Sequence, residues 1–160
     1  MAAVTTLPAS FTSGQILTAT NMNDIRGAFR VLQVVYGSTT TQVQNSSTSY
    51  IDTGASVTIT PSATSSKILI LANTAIYMSD ADANVYVQLL RASTSLAISI
   101  QNDSTSANMH QTSSILFYDS PATTSATTYK TQFKNNTAAK TSYVCNASSL
   151  SSIVALEISA

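Results

Sequence analysis

The sequence is poor in several residue types that particular classes of protein require. It has one cysteine, Cys145, so no disulfide can form within the chain, and one histidine, His110. It has four glycines, and no glycine-rich loop that could hold a phosphate. These absences argue against a disulfide scaffold, a zinc site built from clustered cysteines and histidines, and a nucleotide-binding loop.

Charge is equally scarce. Only 9% of the residues are charged, against about 25% in an average protein, and seven basic residues balance seven acidic ones. No basic patch is available to displace counterions from phosphates, so we expect no nucleic-acid partner. A soluble monomer of zero net charge tends to associate, which favours an oligomer.

The stretch Ser66 to Met78 contains the continuous apolar run Ile68 to Ala72. The run is far too short to span a bilayer, which takes about 20 apolar residues, so we expect no membrane partner. A buried helix is the alternative interpretation of such a run. Pro61, the Ser/Thr-rich approach and the β-branched content favour a strand that is covered on both faces.

Short apolar or alternating segments continue to the end of the chain. They predict strands at 31–36, 56–60, 66–78, 85–91, 96–100, 110–118, 127–134, 141–146 and 153–158. In the best example, Tyr129, Thr131 and Phe133 alternate with polar residues. Helical periodicity is absent after residue 30. The sequence therefore predicts an all-β antiparallel sandwich, jelly-roll-like, with one short N-terminal helix and an extended N-terminal arm.

The N-terminal segment differs from the rest. Residues 1–17 have no regular period and predict an extended arm, and they lack the features of a signal peptide. Thr18 is a suitable N-cap for a helix over 19–29. The helix would carry one apolar stripe, so it must dock on something. We predict two units, 1–32 for attachment and 33–160 as a β-sandwich knob, with attachment residues Leu17, Met22, Ile25 and Phe29.

Several predicted strands are apolar on both faces, whereas a single sandwich buries only the inner face of each sheet. A symmetric neighbour is the simplest cover for the remaining faces. We therefore predict an oligomer interface that includes Ile68, Ile70, Leu116, Tyr118 and Ile153.

The sequence offers little for catalysis. His110 stands alone, with no glycine-bounded serine elbow, and the acidic residues are dispersed. Asp80 and Asp82 could share a cation, but the pattern of a calcium loop is missing and turn capping is the simpler role. We expect no enzyme activity and no cofactor.

Longer segments of the chain resemble a known class of protein. The run Ile115 to Phe133, the ending Ser152 to Ala160, and the stretches Tyr50 to Gly54, Val57 to Ser62 and Ser65 to Ile70 resemble a module of virion appendage proteins of tailed bacteriophages. Phe11 to Asn23 is similar to the leader of many tail-fibre and capsid-associated proteins. The strand layout also resembles the trimeric jelly rolls of the C1q and tumour-necrosis-factor type.

This resemblance implies a non-enzymatic virion structural protein, made in the host cytoplasm and placed on the exterior of the capsid or tail. It implies a homotrimer bound to a major capsid protein or a tail protein. The chain has no coiled-coil heptads or repeats for a long shaft, which favours a capsid-decoration (cement) protein or a short tail fibre. The alternative is the tip of a tail fibre that binds a host receptor or surface glycan.

Overall fold

The computed structural model describes residues 13, 14, 16, 18, 19, 31–102 and 106–159. The predicted N-terminal helix and arm, with the attachment residues Leu17, Met22, Ile25 and Phe29, lie outside this part apart from a few isolated positions. The described residues form a short 3-10 turn at Asn146–Ser148 and ten strands: β1 (Val31–Thr39), β2 (Val43–Asn45), β3 (Ile51–Ile59), β4 (Lys67–Met78), β5 (Asn84–Arg91), β6 (Thr94–Asn102), β7 (Met109–Asp119), β8 (Thr127–Asn135), β9 (Ser142–Val144) and β10 (Ser151–Ile158).

The strands form two antiparallel sheets packed as a sandwich, which confirms the predicted fold class. In the first sheet, β4 is central: β7 pairs along one edge, and β10 and β9 follow one another along the other. β1 and β2 pair with the outer edges of β10 and β9. The second sheet has the order β3-β8-β5-β6. Every strand pair is antiparallel, as expected for a chain without crossover helices between its strands.

The core lies between the sheets and follows the alternation seen in the sequence. Tyr129, Thr131 and Phe133 of β8 share one face, as their spacing predicted, and the structure buries that face. Val85, Val87 and Leu89 of β5 point inward beside them. The first sheet contributes alternate residues of β4 and β10 from the other side: Ile68, Ile70, Ala72, Ile76, Ile153 and Ala155. Period-two patterning thus identified the two faces of most strands, and the packing of the sheets decided which face points inward.

The apolar run of β4 is a strand, but it is covered on one face only within this chain. Ile68 and Ile70 have no exposed surface. Leu69 is half-buried and Leu71 is 41% exposed on the opposite face. The prediction was that both faces of this strand are covered. Within this chain, only the face that carries Ile68 and Ile70 is covered.

A buried carboxylate joins three segments at one end of the first sheet. Glu157 of β10 is fully buried and accepts hydrogen bonds from Gln33 Nε2 at 2.6 Å and from the backbone and hydroxyl of Ser62 at 2.7 and 2.6 Å. Burial acts to raise the pKa of Glu157, but the hydrogen bonds from Ser62, Ser66 and Gln33 outweigh it and lower the pKa to about 2. The ionised carboxylate therefore fastens β1 and the β3–β4 loop to β10.

One glycine is required by close approach of the two sheets. Gly37 of β1 lies opposite Ile153, and a Cβ at this position would overlap the backbone carbonyl oxygen of Ser56 in β3. The absence of a side chain lets β1 lie against β3 at the edge of the sandwich. In the described residues, no helix is long and apolar enough to cross a membrane.

Candidate functional site: the exposed apolar face of the first sheet

The outer face of the first sheet carries two adjacent rows of apolar side chains that cross four strands. Strand register places the members of each row directly opposite one another on neighbouring strands, in the order β1, β10, β4, β7. The first row is Tyr36, Val154, Leu71 and Leu116, and the second is Val34, Leu156, Leu69 and Tyr118. We call these eight side chains the apolar face.

Much of the apolar face is open to solvent in the single chain. Leu116 is 70% exposed, and Val34, Tyr36 and Tyr118 are each more than half exposed. Leu71 is 41% exposed, and the other three members are half-buried. Scattered exposed apolar residues are normal on proteins, but contiguous patches of this kind mark interaction sites.

A polar row borders the apolar face on one side. It consists of Ser38, Ser152, Asn73 and Ser114, which again lie opposite one another across the same four strands. The Ser114 hydroxyl donates to Asn73 Oδ1 at 2.7 Å. Every member is a small hydroxyl or amide side chain, so this row can be covered by a partner without burying a charge.

Three aromatic rings lie beyond the polar row, near the other end of the sheet. Tyr77 of β4 contacts His110 of β7, with ring centroids 4.7 Å apart, and Tyr143 of β9, with centroids 5.7 Å apart. The Tyr77 hydroxyl donates to Asn108 Oδ1 at 2.5 Å. His110 is thus an exposed histidine stacked on a tyrosine, in line with a structural or surface role.

The residues predicted for the oligomer interface fall into two groups. Leu116 and Tyr118 belong to the apolar face and are 70% and 57% exposed. Ile68, Ile70 and Ile153 are fully buried between the two sheets of one chain, so they cannot offer surface to a second copy. The prediction for these three is wrong because periodicity identifies the two faces of a strand but not which of them points inward.

The outer face of the second sheet is polar over β3, β8 and β5, and Ile98 and Ile100 of β6 are its exposed aliphatic residues. Gln88 Nε2 donates to Gln132 Oε1 at 2.8 Å, and Gln132 Nε2 donates to Asp52 Oδ1 at 2.8 Å. Lys130 Nζ lies 2.9 Å from the same Asp52 carboxylate. Burial raises the pKa of Asp52, but its bonds to Lys130 and Gln132 leave the pKa below the ordinary value. This face already satisfies its polar groups and suits contact with water.

Two tyrosines frame a lysine on the same outer face. Lys134 Nζ lies 5.0 Å from the ring centroid of Tyr50 and 5.4 Å from that of Tyr86, within the range of cation–π attraction. Burial, followed by repulsion from Tyr86, raises the pKa of Tyr50. The ammonium thus lies close to both rings.

Asp80 and Asp82 both lie in the turn between β4 and β5. Asp80 Oδ2 accepts the Thr141 backbone N–H at 2.6 Å and ties the β4–β5 turn to the β8–β9 loop. Asp82 adopts a left-handed backbone conformation in the same turn, with φ of 58°. Within the described ranges, no group of three or more His, Cys, Asp or Glu side chains is arranged to hold a metal ion.

Comparison with known proteins bears on the fold. No family model matches the sequence, and no curated protein matches it. The solved structure of Eiger TNF from S. frugiperda superimposes with a TM-score of 0.50 at 11% identity, over 81% of this chain and 94% of that one. The chain has the jelly-roll-like fold of a tumour-necrosis-factor protein. At this identity the similarity shows the fold alone, and the resemblance to phage proteins remains a prediction.

Proposed function

We propose that this protein is a non-enzymatic structural protein of a tailed-bacteriophage virion, a homotrimeric β-sandwich knob held on the particle by its N-terminal segment. Its copies associate through the apolar face. Residues 1–32 attach the knob to a major capsid protein or a tail protein, on the exterior of the virion, as a capsid-decoration protein or a short tail fibre.

The apolar face is the observation that supports self-association. Leaving Leu116 and its neighbours in water forgoes about 1.5–3 kcal/mol for each large apolar side chain that could be fully buried. The face is part of a regular sheet, so the surface it presents is broad and fixed by backbone pairing. A second copy would bury these rows without desolvating a charge, because each of the eight members is an aliphatic residue or a tyrosine.

The contrast between the sheets supports the orientation of the knob in the oligomer. The second sheet carries the Asp52–Lys130 ion pair and the glutamine ladder on its outer face. Burying that face would desolvate an ion pair for little gain. The first sheet therefore faces the other copies in the proposed trimer, and the second faces solvent.

The position of the chain ends supports the proposed attachment. Val31, the first residue of β1, lies opposite Ile158 at the end of β10, and Lys67 at the start of β4 lies opposite the same residue. Val31, which follows residues 1–30 in the sequence, thus lies at one end of the first sheet. Three copies arranged around an axis would present three such segments together, which raises the effective concentration for the second and third contacts.

The oligomer is tested by the mass of the full-length protein in analytical ultracentrifugation at low micromolar concentration. We expect three times the 16.8 kDa mass of one chain. A species of 16.8 kDa that stays monomeric as concentration rises would overturn the trimer.

Attachment is tested separately by the F29D and I25D variants, which should form the same oligomer but fail to bind the particle. Retained binding by both would contradict the role of 1–32.

A second candidate function is binding of a host surface glycan by the knob. A cavity of about 350 Å³ at one end of the sandwich favours it, because its volume falls in the range of small-ligand sites and it is lined by an arginine and several threonines. A glycan array probed with the full-length protein tests this candidate. Binding to defined saccharides supports it, and a flat response across the array contradicts it.

A further inference from the structure

The cavity at the end of the sandwich lies where β5, the β5–β6 turn, the β7–β8 loop and the start of β8 meet. Its volume is about 350 Å³. The lining includes Arg91, Pro121 and the hydroxyl-bearing residues Thr94, Thr123, Thr127 and Thr128. Ala92, also in the lining, adopts a left-handed conformation with φ of 51°, which turns the chain sharply after Arg91.

Arg91 is held in place by a buried carboxylate. Its Nη1 atom lies 2.9 Å from both oxygens of Asp119, a residue only 6% exposed. The Tyr129 hydroxyl donates to Asp119 Oδ2 at 2.6 Å. Burial and then Asp119 raise the pKa of Tyr129 well above its ordinary value, so the phenol keeps its proton and fixes the carboxylate. The guanidinium is therefore preorganised.

This arrangement uses one nitrogen of a guanidinium that has five N–H donors. Both hydrogen bonds from Arg91 to Asp119 run through Nη1, and the guanidinium also interacts with the Tyr129 hydroxyl. The Nε and Nη2 edge, whose two parallel N–H bonds match the two oxygens of a carboxylate, makes no hydrogen bond to Asp119. The Arg91 side chain is 30% exposed, so a ligand in the cavity can reach it.

The hydroxyls around the cavity can serve a polyol. Thr123 Oγ1 accepts the Ser125 backbone N–H at 3.0 Å and can still donate. Thr127 Oγ1 donates to the Ser125 carbonyl at 3.0 Å and can still accept. One donor and one acceptor on the same wall suit the hydroxyl groups of a sugar ring.

The local charge balance also suits an anion. Asp119 neutralises Arg91, but Lys67 Nζ lies next to this loop and donates to Ser120 Oγ at 2.9 Å. Of the described residues, no carboxylate lies within ion-pair distance of Lys67. The end of the sandwich thus has one positive charge without a described partner beside the cavity.

We infer that the Arg91 cavity is a binding site for an acidic saccharide unit, with the sugar carboxylate on the Nε/Nη2 edge of Arg91 and the ring hydroxyls on the threonine wall. The inference rests on the glycan-binding candidate above and names its site and ligand class. It does not depend on the trimer. An acidic protein side chain is the competing occupant, because Val31, the first residue of β1, lies at the same end of the sandwich.

Titration of the full-length protein with sodium D-glucuronate, followed by NMR or equilibrium dialysis, tests the inference. Neutral D-glucose and sodium acetate are titrated in parallel. We expect glucuronate to bind, glucose to bind at least about tenfold more weakly because it leaves the guanidinium edge unused, and acetate to bind more weakly than glucuronate because it lacks ring hydroxyls.

Variants then locate the site. R91K keeps the positive charge beside Asp119 but removes the two-pronged edge, so glucuronate binding should fall at least about tenfold. T94V, which removes a hydroxyl that makes no described side-chain bond, should weaken glucuronate but not acetate. K130R, an equally conservative change on the second sheet, is the matched control and should bind like the parent. Circular dichroism and mass confirm that each variant is folded and assembled.

Several results would overturn the inference. Glucose binding as tightly as glucuronate would remove the role of the carboxylate, and acetate binding as tightly would remove the role of the ring. Undiminished glucuronate binding by R91K would place the site elsewhere. An aspartate-containing peptide that binds at Arg91 more tightly than glucuronate would favour a protein partner. Saccharide binding on the array that R91K leaves unchanged would keep the glycan-binding function and reject this site alone.

Discussion

Leu71 of β4 lies directly opposite Leu116 of β7, and both side chains are exposed, at 41% and 70%. Adjacent leucines on a sheet face normally share a covering layer of other side chains. In the part of the chain that the structure describes, this pair has none above it. The pair therefore belongs to the β7 side of the surface that we propose a second copy covers.

A charge at this position should break the oligomer. L116D places a carboxylate at the β7 end of the apolar face, beside Leu71, where burial in an interface would cost several kcal/mol. We expect the variant to sediment at 16.8 kDa with an unchanged β-sheet circular dichroism spectrum. I98D is the matched control, because Ile98 is 54% exposed on the outer face of the second sheet. If I98D dissociates the oligomer and L116D does not, the interface lies on the second sheet and the proposal is wrong.

The Glu157 carboxylate should make stability depend on acid pH. Its pKa of about 2 in the folded protein lies below the ordinary value of 4.5. The ionised form thus stabilises the fold fully above pH 4.5, and this contribution is lost as the pH falls from there towards 2. E157Q removes the charge and sets an amide donor against the donors of Gln33 and Ser62. We expect its free energy of unfolding at pH 7 to be about 2–3 kcal/mol lower.

Urea unfolding of parent and E157Q at pH 7, 5, 4 and 3, at one protein concentration, measures this difference. The difference in free energy of unfolding between the two proteins should narrow steadily below pH 4.5. The parent then gradually loses the stabilisation by the ionised Glu157 carboxylate, which E157Q lacks at every pH. A gap of constant size across this range would show that Glu157 does not titrate in this way.

Two buried serines on the inner faces of the sheets should respond in opposite directions to the same substitution. Ser113 of β7 is 1% exposed and its hydroxyl has no hydrogen-bond partner among the described residues. Ser142 of β9 is fully buried, and its hydroxyl donates to Asn135 Oδ1 at 2.7 Å. We expect S113A to stabilise the protein by about 1 kcal/mol and S142A to destabilise it by about 1–3 kcal/mol, since only the second leaves a buried partner unsatisfied.

Thermal unfolding of both serine variants beside the parent decides the point. A higher melting temperature for S113A and a lower one for S142A is the expected order. An equal fall in the melting temperature of both variants would mean that the Ser113 hydroxyl makes a stabilising hydrogen bond in the folded protein.

The contact between β1 and β3 should tolerate no side chain at residue 37. G37A introduces a Cβ that overlaps the Ser56 carbonyl oxygen, a backbone atom that cannot rotate away. We expect the free energy of unfolding to fall by about 2–3 kcal/mol through displacement of β1. S38A, one residue along on the exposed side of the strand, should change stability by less than about 0.5 kcal/mol. If urea denaturation gives G37A and S38A the same free energy of unfolding, the close approach of β1 to β3 at Gly37 is contradicted.

Much of the fold could be predicted from residue order because strand periodicity is local. The segments around β4, β5, β7, β8 and β10 were all identified, with errors of a few residues at their ends. The short strand β2 lies between the predicted strands 31–36 and 56–60, where the sequence predicts none. The three residues of β2 are too few to show a period-two pattern. This strand is defined by its pairing with β9.

The candidate sites were less accessible to such reasoning. The carboxylate of Glu157 meets Ser62 from 95 residues away, and Arg91 meets Asp119 from 28 residues away. No spacing rule links these pairs, since each depends on the register of strands that are distant in sequence. Exposed aliphatic residues on β1 and β4 could have indicated the apolar face, but only together with the knowledge of which side the second sheet covers.

Residue order was enough to indicate the class of this protein: hydroxyl-rich, almost uncharged, and built from alternating strands whose apolar surplus predicts a partner. Side-chain alternation is a property of each strand alone, so it can be read without the others. Tertiary structure alone decided which side of each strand became the core, which became the apolar face, and which polar groups met at Glu157 and Arg91. Those outcomes depend on strand order and register, which are set by contacts between segments far apart in the chain.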